Sequence, residues 1–297
     1  MPPMRATDSA RGRVRCYLRI VTLLLLAAVL PLASCVVVQY PKGPEPESPI
    51  PGFDAQKFQI EKLTAALAER EKSLESMQTT AVMEYTGIDQ KVVKAKEQLV
   101  VKRPDSLRVE AMSPFGVALL LAAQGPELAI YEPGQNRFMR GAANAETLYR
   151  FARIPMEPND AVGLLMGLAP REFAISKPAD SVSNDNGMMV AAYGTAETGV
   201  RQLGFSNGNL ALVRDTEAGG QVRYEVRYSD YHDIGGVQFP YVVDADFPAA
   251  RSHVKLRYLR PIINGAVPES TFVLTPAPGA TQMNLSKGVS YRVENEG

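Results

Sequence analysis

Leu107-Arg108-Val109-Glu110-Ala111-Met112-Ser113-Pro114-Phe115-Gly116-Val117-Ala118-Leu119-Leu120-Leu121-Ala122-Ala123 reads as two strands joined by a tight turn. Leu107, Val109 and Ala111 alternate with Arg108 and Glu110, the period of a strand with one apolar and one wet face. Pro114 and Gly116 suit the turn, which sets Phe115 at its tip before the wholly apolar run 117–123. An aromatic at a loop tip exposes apolar surface unless something covers it. Phe115 therefore either enters an apolar partner or folds under neighbouring structure.

The same alternation recurs along the chain. Val93, Ala95, Leu99 and Val101 oppose Lys94, Lys96 and Gln98. Val222, Tyr224, Val226 and Tyr228 oppose Arg223, Glu225 and Arg227, and Val254, Leu256 and Tyr258 oppose His253, Lys255 and Arg257. Turn signals at Gly125, Pro133, Asn207, Gly219 and Gly235 separate such runs. The expected fold is mainly β within an α+β class: a curved antiparallel sheet of about 11 strands, too large to stay open and flat. Two helical stretches flank or interrupt it. Asp54 can cap a helix to about Gln78, with Ile60, Leu63, Leu67, Leu74 and Met77 as its apolar stripe. Between Asn144 and Leu168, Leu148, Phe151 and Ala152, then Val162, Leu165, Met166 and Leu168, predict two short apolar helices separated by Pro155 and Pro158. Gly163 and Gly167 lower the stability of the second. Such helices either cover a cavity as a lid or fill one end of a barrel.

The 297 residues are formally neutral, with 32 Lys+Arg and 32 Asp+Glu. With 45% hydrophobic and 22% charged residues, the composition excludes both a disordered tail and a polytopic membrane protein. The charge is unevenly placed. The first 34 residues take five arginines and one aspartate, so the rest holds 27 basic and 31 acidic residues, a net −4. Without a Lys/Arg cluster, nucleic acid is not the expected partner. Arg5, Arg11, Arg13, Arg15 and Arg19 precede the apolar run from Ile20 to Leu32, a secretory signal pattern covering 1–34. Its end, Leu32-Ala33-Ser34-Cys35, resembles a bacterial lipobox, in which Cys35 is acylated and becomes the first mature residue. Cys16 leaves with the signal, so no internal disulfide is expected. Val36, where Asp would favour the inner membrane, points to the outer one. Pro41, Pro44, Pro46, Pro49 and Pro51 make 35–53 a stiff tether, leaving 54–297 as the folded domain.

Motifs for catalysis are lacking. His232 lies between Asp230 and Asp233 in a polar turn, His253 sits on a charged strand face, and Asp244 and Asp246 share one face of a strand. No zinc spacing, phosphate-binding loop or nucleophile elbow occurs, so no enzyme activity, metal or cofactor is expected.

From Ser106 to Pro170 the order of motifs resembles the LolB outer-membrane lipoprotein receptor family and, more broadly, the LolA/LolB-like superfamily. An Arg-containing strand leads to Ser113-Pro114-Phe115-Gly116 and the apolar Ala118-Leu119-Leu120-Leu121. A Gly-Pro turn follows, then Leu128-Ala129-Ile130-Tyr131, a helix from Asn144 to Ile154, Pro155, and Leu164-Leu165-Met166-Gly167-Leu168-Ala169-Pro170. The resemblance implies a half-open barrel with an N-terminal helix and inserted lid helices over a hydrophobic cavity. It implies that the cavity takes lipoprotein acyl chains from a LolA-like periplasmic carrier, and that the chain inserts lipoproteins into the outer membrane. Pro114, Phe115 and Gly116 would form the membrane-insertion loop. Leu107, Val109, Leu119, Leu121, Ile130, Leu148, Phe151, Leu165 and Met166 would line the cavity. The expected protein is a monomer, tied to the outer membrane through Cys35 and facing the periplasm. The alternative is an envelope lipoprotein that binds another lipid, or acts as a sensor or scaffold on the same fold.

Overall fold

The computed structural model describes residues 54–170, 173 and 177–285. The signal, Cys35 and the tether lie outside the described residues. Three α-helices occur among those residues: α1 (Ala55–Ser73), α2 (Ala145–Ala152) and α3 (Pro158–Leu165). The strands are β1 (Ser76–Thr86), β2 (Val92–Lys102), β3 (Ser106–Ser113), β4 (Gly116–Gln124), β5 (Glu127–Glu132), β6 (Arg137–Ala142), β7 (Ser181–Asp185) and β8 (Met188–Thr195). They continue with β9 (Gly199–Ser206), β10 (Asn209–Thr216), β11 (Val222–Ile234), β12 (Val237–Phe247), β13 (Ser252–Tyr258), β14 (Ile262–Ile263) and β15 (Thr281–Asn284).

All fifteen belong to one curved, unclosed sheet, so the fold class matches the expectation while the strand number exceeds about 11. The surplus includes pieces with little pattern to read: β7 is mostly exposed, β14 has two residues and β15 has four. The order is β15-β6-β5-β4-β3-β2-β1-β13-β12-β11-β10-β9-β8-β7, with β14 beside β1. Two antiparallel meanders, β1 to β6 and β7 to β13, thus join where β1 pairs with β13. β15 runs parallel to β6 and covers what would otherwise be an open edge. The segment leading to it crosses the outer face, where Leu274 closes a small cluster with Ala122, Ala129 and Phe138. Arg108 Nη1 donates to the Thr271 carbonyl at 2.9 Å, pinning that crossing.

Helix α1 begins as expected: the Asp54 carboxylate accepts from the backbone N–H of Gln56 and Lys57, both at 3.0 Å. It stops at Ser73, five residues short of Gln78. The stop comes from a residue distant in sequence. Asn264 Nδ2 donates to the Ser73 carbonyl at 2.7 Å while its Oδ1 accepts from Glu75 N at 2.8 Å. Leu74 turns to an extended backbone, and Leu74 and Met77 are fully buried without being helical. Arg103 completes the end by donating to the carbonyls of Glu71 and Leu74, and it pairs with the Glu71 carboxylate at 2.8 Å. Ile60, Thr64 and Leu67 bury the helix against β7 and β8.

The core is one hydrophobic cluster on the concave face, between sheet and helices, and it includes Leu107, Leu121, Leu128, Ile130 and Leu148. Leu121 is fully buried in it. Leu121→Ala is expected to lower unfolding free energy by about 2–5 kcal/mol; a loss below about 1 kcal/mol in denaturant titration would mean that this wall is not a packed core.

Candidate functional site

The lid helices form where the sequence places them, each with local reasons. Asn144 caps α2 reciprocally: its Oδ1 accepts from Thr147 N at 3.0 Å, and Thr147 Oγ1 accepts from Asn144 N at 3.1 Å. Pro158 opens α3, and Glu157 just before it accepts from Ala145 N at 3.3 Å, which ties the two helix starts together. α3 lies on the concave face and packs against β2 and β3.

Its C-terminal end leaves backbone carbonyls facing an apolar interior, and three residues of distant elements satisfy them. Tyr258 Oη donates to the Leu165 carbonyl at 2.7 Å. Tyr228 Oη donates to the Leu164 carbonyl at 3.0 Å, with the Leu168 carbonyl at 3.4 Å as a second acceptor. From α1, Arg70 Nη2 donates to the Met166 carbonyl at 3.3 Å. Burial holds both phenols far above their usual pKa, so they remain protonated donors at neutral pH. Gly167 (φ +69°) lets the chain turn here, and a Cβ at that position would meet Pro240 Cγ at 2.6 Å.

Beneath the lid is an apolar hollow of about 40 Å³. Ile154, Met156, Ala161, Leu164 and Leu165 form its roof, and Val226, Val243, Ala245, Phe247, Val254 and Leu256 its floor. This is room for a few water molecules at most, against roughly 300–1,000 Å³ for a typical ligand pocket. The lid is closed and the interior nearly filled. All nine residues expected to line a cavity fall within one hydrophobic cluster. Of the nine only Leu165 lines the hollow; Leu107, Val109, Leu121, Ile130, Leu148 and Met166 are packed in the core instead, and Leu119 and Phe151 are partly buried against it. The hollow itself sits over β11 to β13 rather than β3 to β5.

The β3–β4 turn is built by Ser113, whose Oγ accepts from Phe115 N at 3.2 Å and donates to the Gly116 carbonyl at 3.0 Å. Phe115 is 100% exposed, which excludes the alternative that it folds under the lid. On the neighbouring β1–β2 hairpin, Ile88, Val92 and Val93 are also exposed. β2 pairs with β3 from Lys96 onwards, so residues 92–95 project past β3 with β1 alone beside them.

His232 and Asp230 do pair, at 3.0 Å, but each is about half exposed on β11, away from the hollow. His253 Nε2 lies 2.6 Å from Asp244, whose other oxygen holds Lys255 at 2.9 Å. Burial opposes ionisation of Asp244, and the hydrogen bonds from Lys255 and His253 outweigh it and keep its carboxyl below the usual range. Asp246 brings a third ligand atom within 4.8 Å of these, and Lys255 offsets the charge of Asp244 alone.

One buried charge escaped the sequence reading. Glu97 lies on the concave face of β2 with 8% exposure, and burial raises its carboxyl from 4.5 to about 7. The signal was present, since period two puts position 97 in the apolar column of Ala95, Leu99 and Val101.

No family model and no curated protein matches the chain. Among solved structures, it resembles a DUF1329 family protein from Desulfovibrio piger at 10% identity and TM-score 0.52, covering 73% of this chain and 97% of that one. It also resembles a LolA superfamily protein from Nitrosomonas europaea at 11% identity and TM-score 0.50, covering 71% and 97%. The likeness is one of fold: the chain shares with them a curved, unclosed antiparallel sheet that carries helices on one face.

Two predictions follow from this geometry. Tyr258→Phe orphans the Leu165 carbonyl at a cost of about 1–3 kcal/mol, so amide exchange in residues 158–168 should accelerate roughly tenfold or more; unchanged exchange would show that the hydroxyl does not hold the lid. For Glu97, a folded pKa above the unfolded value means stability is complete below pH 4.5 and is lost as pH rises to about 7. Glu97→Gln should therefore match the parent near pH 4 and exceed it by about 3 kcal/mol at pH 8; a gap independent of pH would refute the buried-acid assignment.

Proposed function

We propose that this chain is a lipid-anchored envelope protein that takes acyl chains beneath its lid and delivers lipoproteins to the outer membrane. The observation that carries the reading is the lid's construction. An apolar roof, α3 with Ile154 and Met156 before it, closes an apolar concave wall and is fastened at its C-terminal end by hydrogen bonds from Tyr228, Tyr258 and Arg70. Breaking those few bonds exposes a continuous greasy surface, and an acyl chain that replaces the roof gains about 25 cal/mol per Å² buried. No catalysis is needed. Cys35 would anchor the chain, and the tether would let the domain reach the bilayer.

Phe115 supports the delivery step. An entirely exposed phenylalanine at a rigid turn contributes about 1.5–3 kcal/mol on entering lipid. Ile88, Val92 and Val93 lie on the adjacent hairpin, beside Lys94, which pairs with Glu84 at 2.8 Å, and Lys91, 3.8 Å from Asp89. The resemblance to a LolA superfamily protein agrees with acyl-chain binding and with a LolA-like carrier as donor.

A second reading, a scaffold with a filled barrel, is favoured by the size of the hollow, about 40 Å³. Mass spectrometry of the chain extracted from its envelope under native conditions separates the two: bound lipoprotein or acyl ligand is expected, and a ligand-free protein at every concentration of added lipid would favour the scaffold. For delivery, Phe115→Glu should leave the melting temperature unchanged and reduce insertion of client lipoproteins at least about tenfold; normal client localisation would reject the membrane wedge.

A further inference from the structure

We propose that Glu97 is the polar anchor of the lipid site, accepting a hydrogen bond from an N–H or O–H group that the bound lipid carries beside its acyl chains. The inference rests on the acyl-binding reading above and adds the chemistry that the site selects.

The concave face around Glu97 is mostly apolar; Thr79 in the next row is the buried polar exception, and its hydroxyl donates to the Thr80 carbonyl at 3.0 Å. Along β2 its neighbours on that face are Ala95, Leu99 and Val101. Across the sheet, register sets Glu97 between Ala81 of β1 and Ala111 of β3, and the same row continues to Tyr258 and Leu119. Two alanines therefore flank the carboxyl, and larger side chains begin only one strand further out. Among the described residues no donor bonds Glu97 and no cation pairs with it, while burial alone accounts for its raised pKa. A leucine or valine would satisfy the core at this position, whereas a lone buried carboxyl without a partner is a destabilising choice. Departures of this kind from a consistent pattern occur where a site has work other than folding.

The position also suits a ligand. Leu256 and Val243 on the hollow's floor continue, in register, to Met83 and Ala95, the row next to that of Glu97. α3 roofs the hollow with Ala161, Leu164 and Leu165 and also packs on β2 and β3. Displacing α3 therefore joins the hollow to the carboxyl in one trough. Acyl chains would lie along the floor, and an amide, hydroxyl or ammonium at their head would meet Glu97. Above pH about 7, where the carboxyl is ionised, a lipid offering only acceptors there would leave it unpaired and be rejected; below that pH the carboxyl's own O–H can donate to such a lipid.

The test titrates the full chain calorimetrically with three probes of equal chain length: N-dodecylacetamide, dodecylamine and methyl laurate. At pH 8, with the carboxyl ionised, the parent should bind the first two about tenfold or more tighter than methyl laurate. Preference for dodecylamine should grow as pH rises through about 7, where the carboxyl ionises. Glu97→Gln, whose side-chain carbonyl still accepts, should keep the amide preference and lose the pH-dependent gain. Glu97→Leu should bind all three alike. Equal binding of the three probes to the parent, or a preference that survives in Glu97→Leu, overturns the inference and leaves acyl binding standing. Binding of no probe, methyl laurate included, overturns the acyl-binding reading and this inference with it.

Discussion

A helix end pointed into an apolar interior must find donors for its last carbonyls, and this requirement governs how the lid sits. Water cannot reach the end of α3, so Tyr228 and Tyr258 supply hydroxyls from the sheet and Arg70 a guanidinium from α1. These contacts choose which strands the lid covers. They fasten the roof at its C-terminal end, while apolar packing holds the face it turns to the hollow. A roof fastened this way can leave as a unit, because no backbone ladder of the sheet runs through it.

The sheet provides a wall that does not need the lid to exist. β1 pairs with β13 and β2 along its length, so the two meanders form a continuous surface whose curvature is set by strand pairing. That wall is mostly greasy, with the Tyr228 and Tyr258 hydroxyls spent on the lid and the Glu97 carboxyl left without a partner among the described residues. The same register that hides leucines and valines also hides this carboxyl, and its raised pKa measures what its burial costs. The outer face is handled differently, by a C-terminal crossing that shields Phe138 and ends as β15.

Much of this was legible in the sequence, and the limits have physical causes. Alternation identified the inward faces of β2, β3, β11 and β13, and Ser-Pro-Phe-Gly set Phe115 on a tip, where the fold leaves it fully exposed. The Asn144 and Pro158 helix starts followed from local chemistry. What failed to show locally was decided by distant partners. α1 ends at Ser73 because Asn264, far along the chain, takes its backbone groups. The hollow lies over Val226, Val243 and Leu256 because Tyr228 and Tyr258 draw the lid there, a choice that periodicity in β3 and β4 cannot express. β15 has four residues and no period, so its parallel pairing with β6 had no signal. Glu97 was readable, as the one charge in an apolar column.

The central claim is that an acyl chain displaces the roof and lies against the floor of the hollow. The most direct measurement is methyl nuclear Overhauser spectroscopy on the full chain with N-dodecylacetamide added. Cross-peaks from the dodecyl chain to Val226, Val243 and Leu256 methyls are predicted, together with loss of the contacts between those methyls and Leu164 and Leu165. A saturated sample in which the roof contacts persist and the floor methyls see no probe would contradict the account.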